Sequence, residues 1–129
     1  MTPIDNRPIY VRLADRICDM ILAHEYHAMD KIPSIRDYAV AQQVNPATAA
    51  RAFETLERQG IIFNKRGLGS FISPDAEDII KKLRLNTMLG EESKLFFKRL
   101  MLLDVSPDQL RHMYEDFIAA NRPQAPCKD

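Results

Sequence analysis

Cysteine is scarce in this chain of 129 residues: Cys18 lies in an apolar helical stretch and Cys127 close to the last residue. So sparse a set builds no disulfide framework, and both read as incidental thiols of a reducing compartment. Histidine is no richer. His24 and His27 flank Glu25 with no cysteine beside them and only His112 elsewhere, a poor match to zinc-ligand spacing, so no metal site is expected. No Ser/His/Asp grouping, phosphate-cradling Gly-rich loop or Gly-x-Gly-x-x-Gly fingerprint occurs, and the length leaves no room for a catalytic fold with its own cofactor domain. Neither an enzyme nor a cofactor is expected. Long apolar runs are missing too: nothing approaches the ~18 residues of a membrane span, and no charged-then-apolar leader opens the chain. The expected location is the cytoplasm.

An excess of charge of either sign is also lacking. The 18 basic and 18 acidic residues cancel, with 9 Lys/Arg against 8 Asp/Glu up to residue 74 and 9 against 10 beyond it. A basic surface for nucleic acid must therefore come from local placement of a few cations.

What is present is a sequence of helix signals. Ile9, Leu13, Ile17, Met20 and Ile21 recur at helical spacing, with charged residues between them, so a first amphipathic helix runs to about Ala23. An irregular stretch from His24 to Lys31 leads to Ile32-Pro33, enough for one bridge of a small sheet. Ser34 with Asp37 resembles a capping box opening a second helix, which offers Ile35, Tyr38 and Ala39 to the core and stops near Gln43, with Val44 the buried residue of the turn. Asn45 caps a third helix that begins at Pro46, where the missing N–H costs nothing; Ala49, Ala52, Phe53 and Leu56 form its core stripe and Gly60 its terminator. Ile61 to Asn64 and Ser70 to Ile72 read as strands around the tip Lys65-Arg66-Gly67-Leu68-Gly69, whose glycines supply the positive φ of a tight hairpin.

Two capped helices followed by a Gly-tipped hairpin make a winged helix-turn-helix. The fold expected is mainly α with a small antiparallel β wing over residues 1–74, followed by a C-terminal helical dimerisation tail over 75–121 and a disordered end over 122–129. The tail reads as an apolar helical stretch from Ala76 to about Leu103, broken or kinked at Gly90, and a helix opened by Ser106-Pro107 with a stripe of Leu110, Met113, Tyr114, Phe117 and Ile118. So few residues cannot bury this surface alone, which points to a second copy of the chain, the alternative being folding back over the winged domain.

At ~100° per residue, Ala47, Arg51 and Arg58 fall nearly opposite the core stripe of the third helix. Arg51 is the best candidate for a major-groove contact, guanine O6/N7 being its bidentate partner; the alternative is an ordinary surface arginine paired with Glu54 or Glu57. Thr48 can donate to a phosphate or a base, or bond its own helix start, and Ala47 offers a methyl to thymine. Arg36 should meet a phosphate or base where the second helix crosses the backbone. Lys65 and Arg66 suit the backbone or minor groove.

Pro8-Ile9-Tyr10, Pro33-Ser34-Ile35-Arg36, Val44-Asn45-Pro46-Ala47-Thr48, Leu56-Glu57-Arg58-Gln59-Gly60-Ile61-Ile62 and Arg66-Gly67-Leu68-Gly69-Ser70-Phe71-Ile72 together resemble the GntR family of bacterial transcription regulators over residues 8–72. The short tail resembles the YtrA-type subfamily, which lacks a large effector-binding domain and dimerises through its tail. The resemblance implies a homodimeric repressor on double-stranded DNA, with DNA contacts from Arg36, the Asn45 to Arg51 segment and the Gly67 wing tip; a twofold dimer in turn calls for an inverted-repeat operator, and the residues leave the existence of a small-molecule effector open. With their neighbours the candidate set is Ser34, Arg36, Asn45, Ala47, Thr48, Arg51, Lys65, Arg66 and Gly67. Pro46 and Ala50 stand where many relatives carry arginine, His24 and Met29 where glycines are common, and Leu68 where a basic residue is frequent, so contacts at those positions do not transfer. The rival reading is a winged-helix module for protein contacts, without specific DNA binding.

Overall fold

A computed structural model of the chain describes residues 6–122. Helix α1, Ile9–Leu22, starts after Pro8 and buries Leu13, Ala14, Ile17, Cys18 and Ile21; of the apolar stripe read from its spacing, Ile9 is half exposed at the helix start and Met20 is only half-buried. Helix α2, Ile35–Gln42, is opened by Ser34, whose Oγ accepts from the Asp37 N–H at 3.1 Å. Helix α3, Pro46–Arg58, is opened by Asn45, whose Oδ1 accepts from the Ala47 N–H at 2.8 Å. Each cap satisfies an amide that the first helical turn leaves without a partner. Ala49, Ala52, Phe53 and Leu56 of α3 are buried. The α2 core face is narrower than its sequence promises: Tyr38 and Ala39 are buried, but Ile35 is 38% exposed, because it is the first residue of a two-turn helix and lies at the rim. Tyr38 ties the helices together, its hydroxyl donating to the Leu13 carbonyl at 3.2 Å and its ring lying 5.6 Å from that of Phe53.

Strands β1, Ile62–Lys65, and β2, Gly69–Ile72, pair antiparallel, with Ile62 opposite Ile72, Phe63 opposite Phe71 and Lys65 opposite Gly69. Alternation sends Ile62 and Ile72 into the core and leaves Phe63 and Phe71 stacked at 5.8 Å on the other face. The turn closes through the Leu68 N–H donating to the Lys65 carbonyl at 2.8 Å, and Gly67 takes φ 81° there, which a β-carbon would oppose. The stretch before α2 adds the expected single bridge: Lys31 pairs with Phe71, and the Ile32 N–H donates to the Ser70 carbonyl at 3.0 Å.

Helix α4, Ala76–Thr87, supplies Ala76 and Ile80 to the same core. Arg84 fastens it to α1, with Nη1 2.7 Å from Asp19 Oδ1 and Nη2 donating to the Asp15 carbonyl at 3.2 Å. The first compact unit runs to Arg84 and so takes in most of α4, whose Ala76 and Ile80 lie in its core. The second unit begins at Leu85. It holds the end of α4, a wide helical turn at Met88–Glu92 distorted at Gly90, helix α5, Ser93–Leu102, and helix α6, Pro107–Asn121. Ser106 caps α6, its Oγ accepting from the Gln109 N–H at 3.1 Å. Neither α5 nor α6 has a buried residue. Residues 123–129, with Cys127 and nearly all of the tail end expected to be disordered, lie outside the described residues.

Candidate nucleic-acid interface

The third helix presents its polar side as the cap and stripe require. Ala47 and Arg51 are exposed and Thr48 is half-buried. The Arg51 guanidinium lies over the Tyr10 ring, its carbon 4.2 Å from the ring centroid. Of the two carboxylates that could have claimed it, Glu54 stands 3.6 Å from Arg58 instead, and Glu57 makes no ion pair with Arg51. Arg51 has no ion pair among the described residues, and neither does Arg36 in the first turn of α2. The Thr48 hydroxyl likewise has no hydrogen-bond partner among them. Ser34 and Asn45 spend one oxygen lone pair each on capping, which leaves the Ser34 O–H and the Asn45 NH₂ as donors facing outward from helix starts.

Lys65, Arg66 and Gly67 form the exposed tip of the wing. Lys65 Nζ lies 5.8 Å from the Phe71 ring centroid, so its stem covers the aromatic pair while the ammonium stays in water. On the other side of β2 a further cation joins them. Lys31, opposite Phe71, runs along the strand so closely that a methyl on Gly69 would stand 3.1 Å from its Cε. The linear sequence places Lys31 in an irregular stretch, and only the bridge to Phe71 shows that it belongs to the wing.

These cations contrast with others in the chain. Lys81 is 3.3 Å from Glu77, Lys94 3.0 Å from Glu91 and Arg111 3.3 Å from Asp108. Arg36, Arg51, Lys31, Lys65 and Arg66 have no such pair among the described residues, a state they share with the exposed Lys82, Lys98 and Arg99 of α4 and α5. The histidines form no metal cluster: His24 faces Glu77 at 3.6 Å and His27 faces Asp30 at 3.4 Å, and no group of three or more ligand-type residues converges among the described residues.

The model of the family described as "Bacterial regulatory proteins, gntR family" matches residues 9–72, from the start of α1 to the end of β2. The uncharacterised HTH-type transcriptional regulator YhcF of Bacillus subtilis is 33% identical over 105 residues, 81% of this chain and 85% of its own. The chain belongs to the GntR family. The transcriptional repressor YtrA of Bacillus subtilis is 34% identical over 92 residues, 71% of this chain and 70% of that one. A crystal structure from Bacteroides thetaiotaomicron, assigned to the GntR family of transcriptional regulators, superposes with a TM-score of 0.76 at 41% identity, covering 89% of this chain and all of that one. The fold is thus a winged helix-turn-helix with a C-terminal helical region, of the short-tailed YtrA type, and the activity is DNA-binding transcription regulation, not enzymatic catalysis. No helix among the described residues is long and apolar enough to cross a membrane.

Proposed function

We propose that this GntR-family regulator is a cytoplasmic homodimeric repressor that binds an inverted-repeat operator, laying α3 in the major groove and the wing on the flanking backbone. One observation carries the reading: Arg36, Arg51, Lys65 and Arg66 are exposed with no ion pair among the described residues, on the elements that meet DNA in a helix-turn-helix. In this scheme Arg51 reads a base and Ala47 and Thr48 sit beside it. Arg36, Lys65, Arg66 and the Gly67 backbone hold phosphates, with Lys31 joining them from its bridge to β2. Ser34 and Asn45 donate to the backbone from their cap positions. Residues 75–121 supply the dimer contact, supported by the unburied apolar faces of α5 and α6 and by the likeness to YtrA.

Selection of duplexes from a random DNA pool by the full chain tests the proposal. A palindromic consensus with half-sites about one helical turn apart is expected. Arg51→Ala should then relax preference at one base pair per half-site by about 1–3 kcal/mol, while Lys65→Ala should weaken all sequences alike and flatten the salt dependence. An asymmetric consensus contradicts the inverted-repeat reading, and the absence of any salt-sensitive DNA affinity favours a module for protein contacts instead.

A further inference from the structure

Tyr10 lies on α1, outside the helix-turn-helix and the wing, yet the Arg51 guanidinium rests over its ring. We infer that Tyr10 is a positioning residue for Arg51 and thereby a determinant of base specificity that does not itself touch the base. The inference rests on the reading of Arg51 as the base contact.

The geometry separates two functions of one planar cation. A guanidinium carries its N–H donors in its plane, and an aromatic ring attracts it through the perpendicular face. The contact with the Tyr10 ring sets no carboxylate or carbonyl oxygen on the guanidinium, so its N–H donors stay available for the paired acceptors of a guanine. No carboxylate among the described residues stands within ion-pair distance of Arg51: Glu54 pairs with Arg58, and Glu57 makes no pair with Arg51. The platform is anchored as well. Tyr10 is in the first turn of α1 and packs against the core, on a helix that contacts α3, so the ring is held relative to the recognition helix by the body of the domain. A free arginine would surrender its rotamer freedom on meeting DNA, whereas one already stacked has surrendered much of it beforehand. That difference is worth about threefold to tenfold in affinity.

The test uses the full chain and the consensus duplex recovered by selection, together with single-base variants of that duplex. Tyr10→Phe keeps the ring and should match the wild type. Tyr10→Leu should lose about threefold to tenfold in affinity for the consensus, with the loss confined to discrimination at the base pair that Arg51→Ala also relaxes. In the Arg51→Ala background Tyr10→Leu should change affinity by less than about twofold, the signature of a residue acting through its partner. An equal loss in both backgrounds, or a loss spread over all base pairs, overturns the positioning role while leaving the reading of Arg51 intact. If Arg51→Ala shifts no base preference, the base-reading assignment falls instead, and the inference falls with it. A further readout needs neither DNA nor a variant that might unfold: in the wild type the Arg51 Nε–H and Hδ resonances should carry ring-current shifts, and random-coil positions for them overturn the stack.

Discussion

Met29 holds φ 70° with half of its side chain in solvent, a left-handed conformation that costs a β-carbon-bearing residue about 1–2 kcal/mol. Its N–H donates to the Ile72 carbonyl at 2.8 Å, so the backbone cannot relax without releasing the edge of the wing. Met29→Gly should stabilise the domain by about 0.5–1 kcal/mol in urea denaturation, the strain relieved exceeding the extra chain entropy that glycine brings to the unfolded state. A loss of stability would show that the half-buried thioether contributes more than the strain. The reverse holds at Gly60, which follows α3 at φ 81°, where an added methyl would find room 3.6 Å from Ile79 Cδ1 but the backbone would be strained; Gly60→Ala should cost about 1–2 kcal/mol. Cys18 shows a different residue-scale effect. Burial pushes its thiol up to about 11, above the 9.0 of an exposed cysteine, because the thiolate would be left without water. In the unfolded chain the thiol ionises first, so this residue leaves stability unchanged below about pH 9 and removes it progressively as pH rises from there towards 11. In a Cys127→Ser protein, iodoacetamide at pH 8 should therefore label nothing until the domain unfolds, and rapid labelling of the native state would contradict so buried a thiol.

Helix starts serve two ends in this fold, and one element shows how to separate them. The Asn45 side chain caps α3 through its oxygen and offers its NH₂ outward. Asn45→Asp keeps the capping oxygen and complements the helix dipole but replaces the donors with negative charge. Stability in thermal melts should stay within about 0.5 kcal/mol while operator affinity falls; Asn45→Ala should cost about 1 kcal/mol of stability as well. Unchanged operator affinity in the aspartate variant would make Asn45 a cap and nothing more. The same helix shows why so much of the architecture is legible in the order of residues alone: Asn45, Pro46, the stripe ending at Leu56 and Gly60 all specify one helix with one buried face, and local signals that agree leave little choice. The wing is legible for a similar reason, its two glycines and alternating Ile62 and Ile72 admitting one register. Where packing decides, the sequence is silent. Ile35 looks like a core residue until the shortness of α2 puts it at the rim, and Ala76 and Ile80 of α4 prove to belong to the core of the first unit. Lys31 and the Tyr10–Arg51 stack belong to the candidate site only because distant segments meet, and no periodicity announces such meetings.

At the scale of the whole molecule, the second unit displays apolar side chains that water should not be left to cover. Phe96, Met101, Leu102, Tyr114 and Phe117 are all exposed, Met101 at 77%. Burying one such side chain is worth about 1.5–3 kcal/mol, so a handful from each of two copies exceeds what association of two chains costs. Sedimentation at micromolar concentration should report about 30 kDa, twice the 14.8 kDa chain, as expected of a closed twofold pair. A Leu102→Glu, Phe117→Glu double variant should sediment as a monomer, and because neither residue is buried within its own chain the winged domain should keep its melting temperature. The consequence for DNA follows from linkage of the half-sites. Joined subunits engage the second half-site at high effective concentration, so separating them should lower operator affinity by about 10²–10⁴-fold. Salt offers an independent measure. With Arg36, Lys31, Lys65 and Arg66 neutralising phosphates in each subunit, log K against log salt should fall with a slope of about −7 for the dimer and about half that for the monomeric variant. Should the double variant bind the operator with undiminished affinity and an unchanged slope, each chain must engage DNA independently, and the apolar faces of α5 and α6 must have some purpose other than joining two DNA-binding domains.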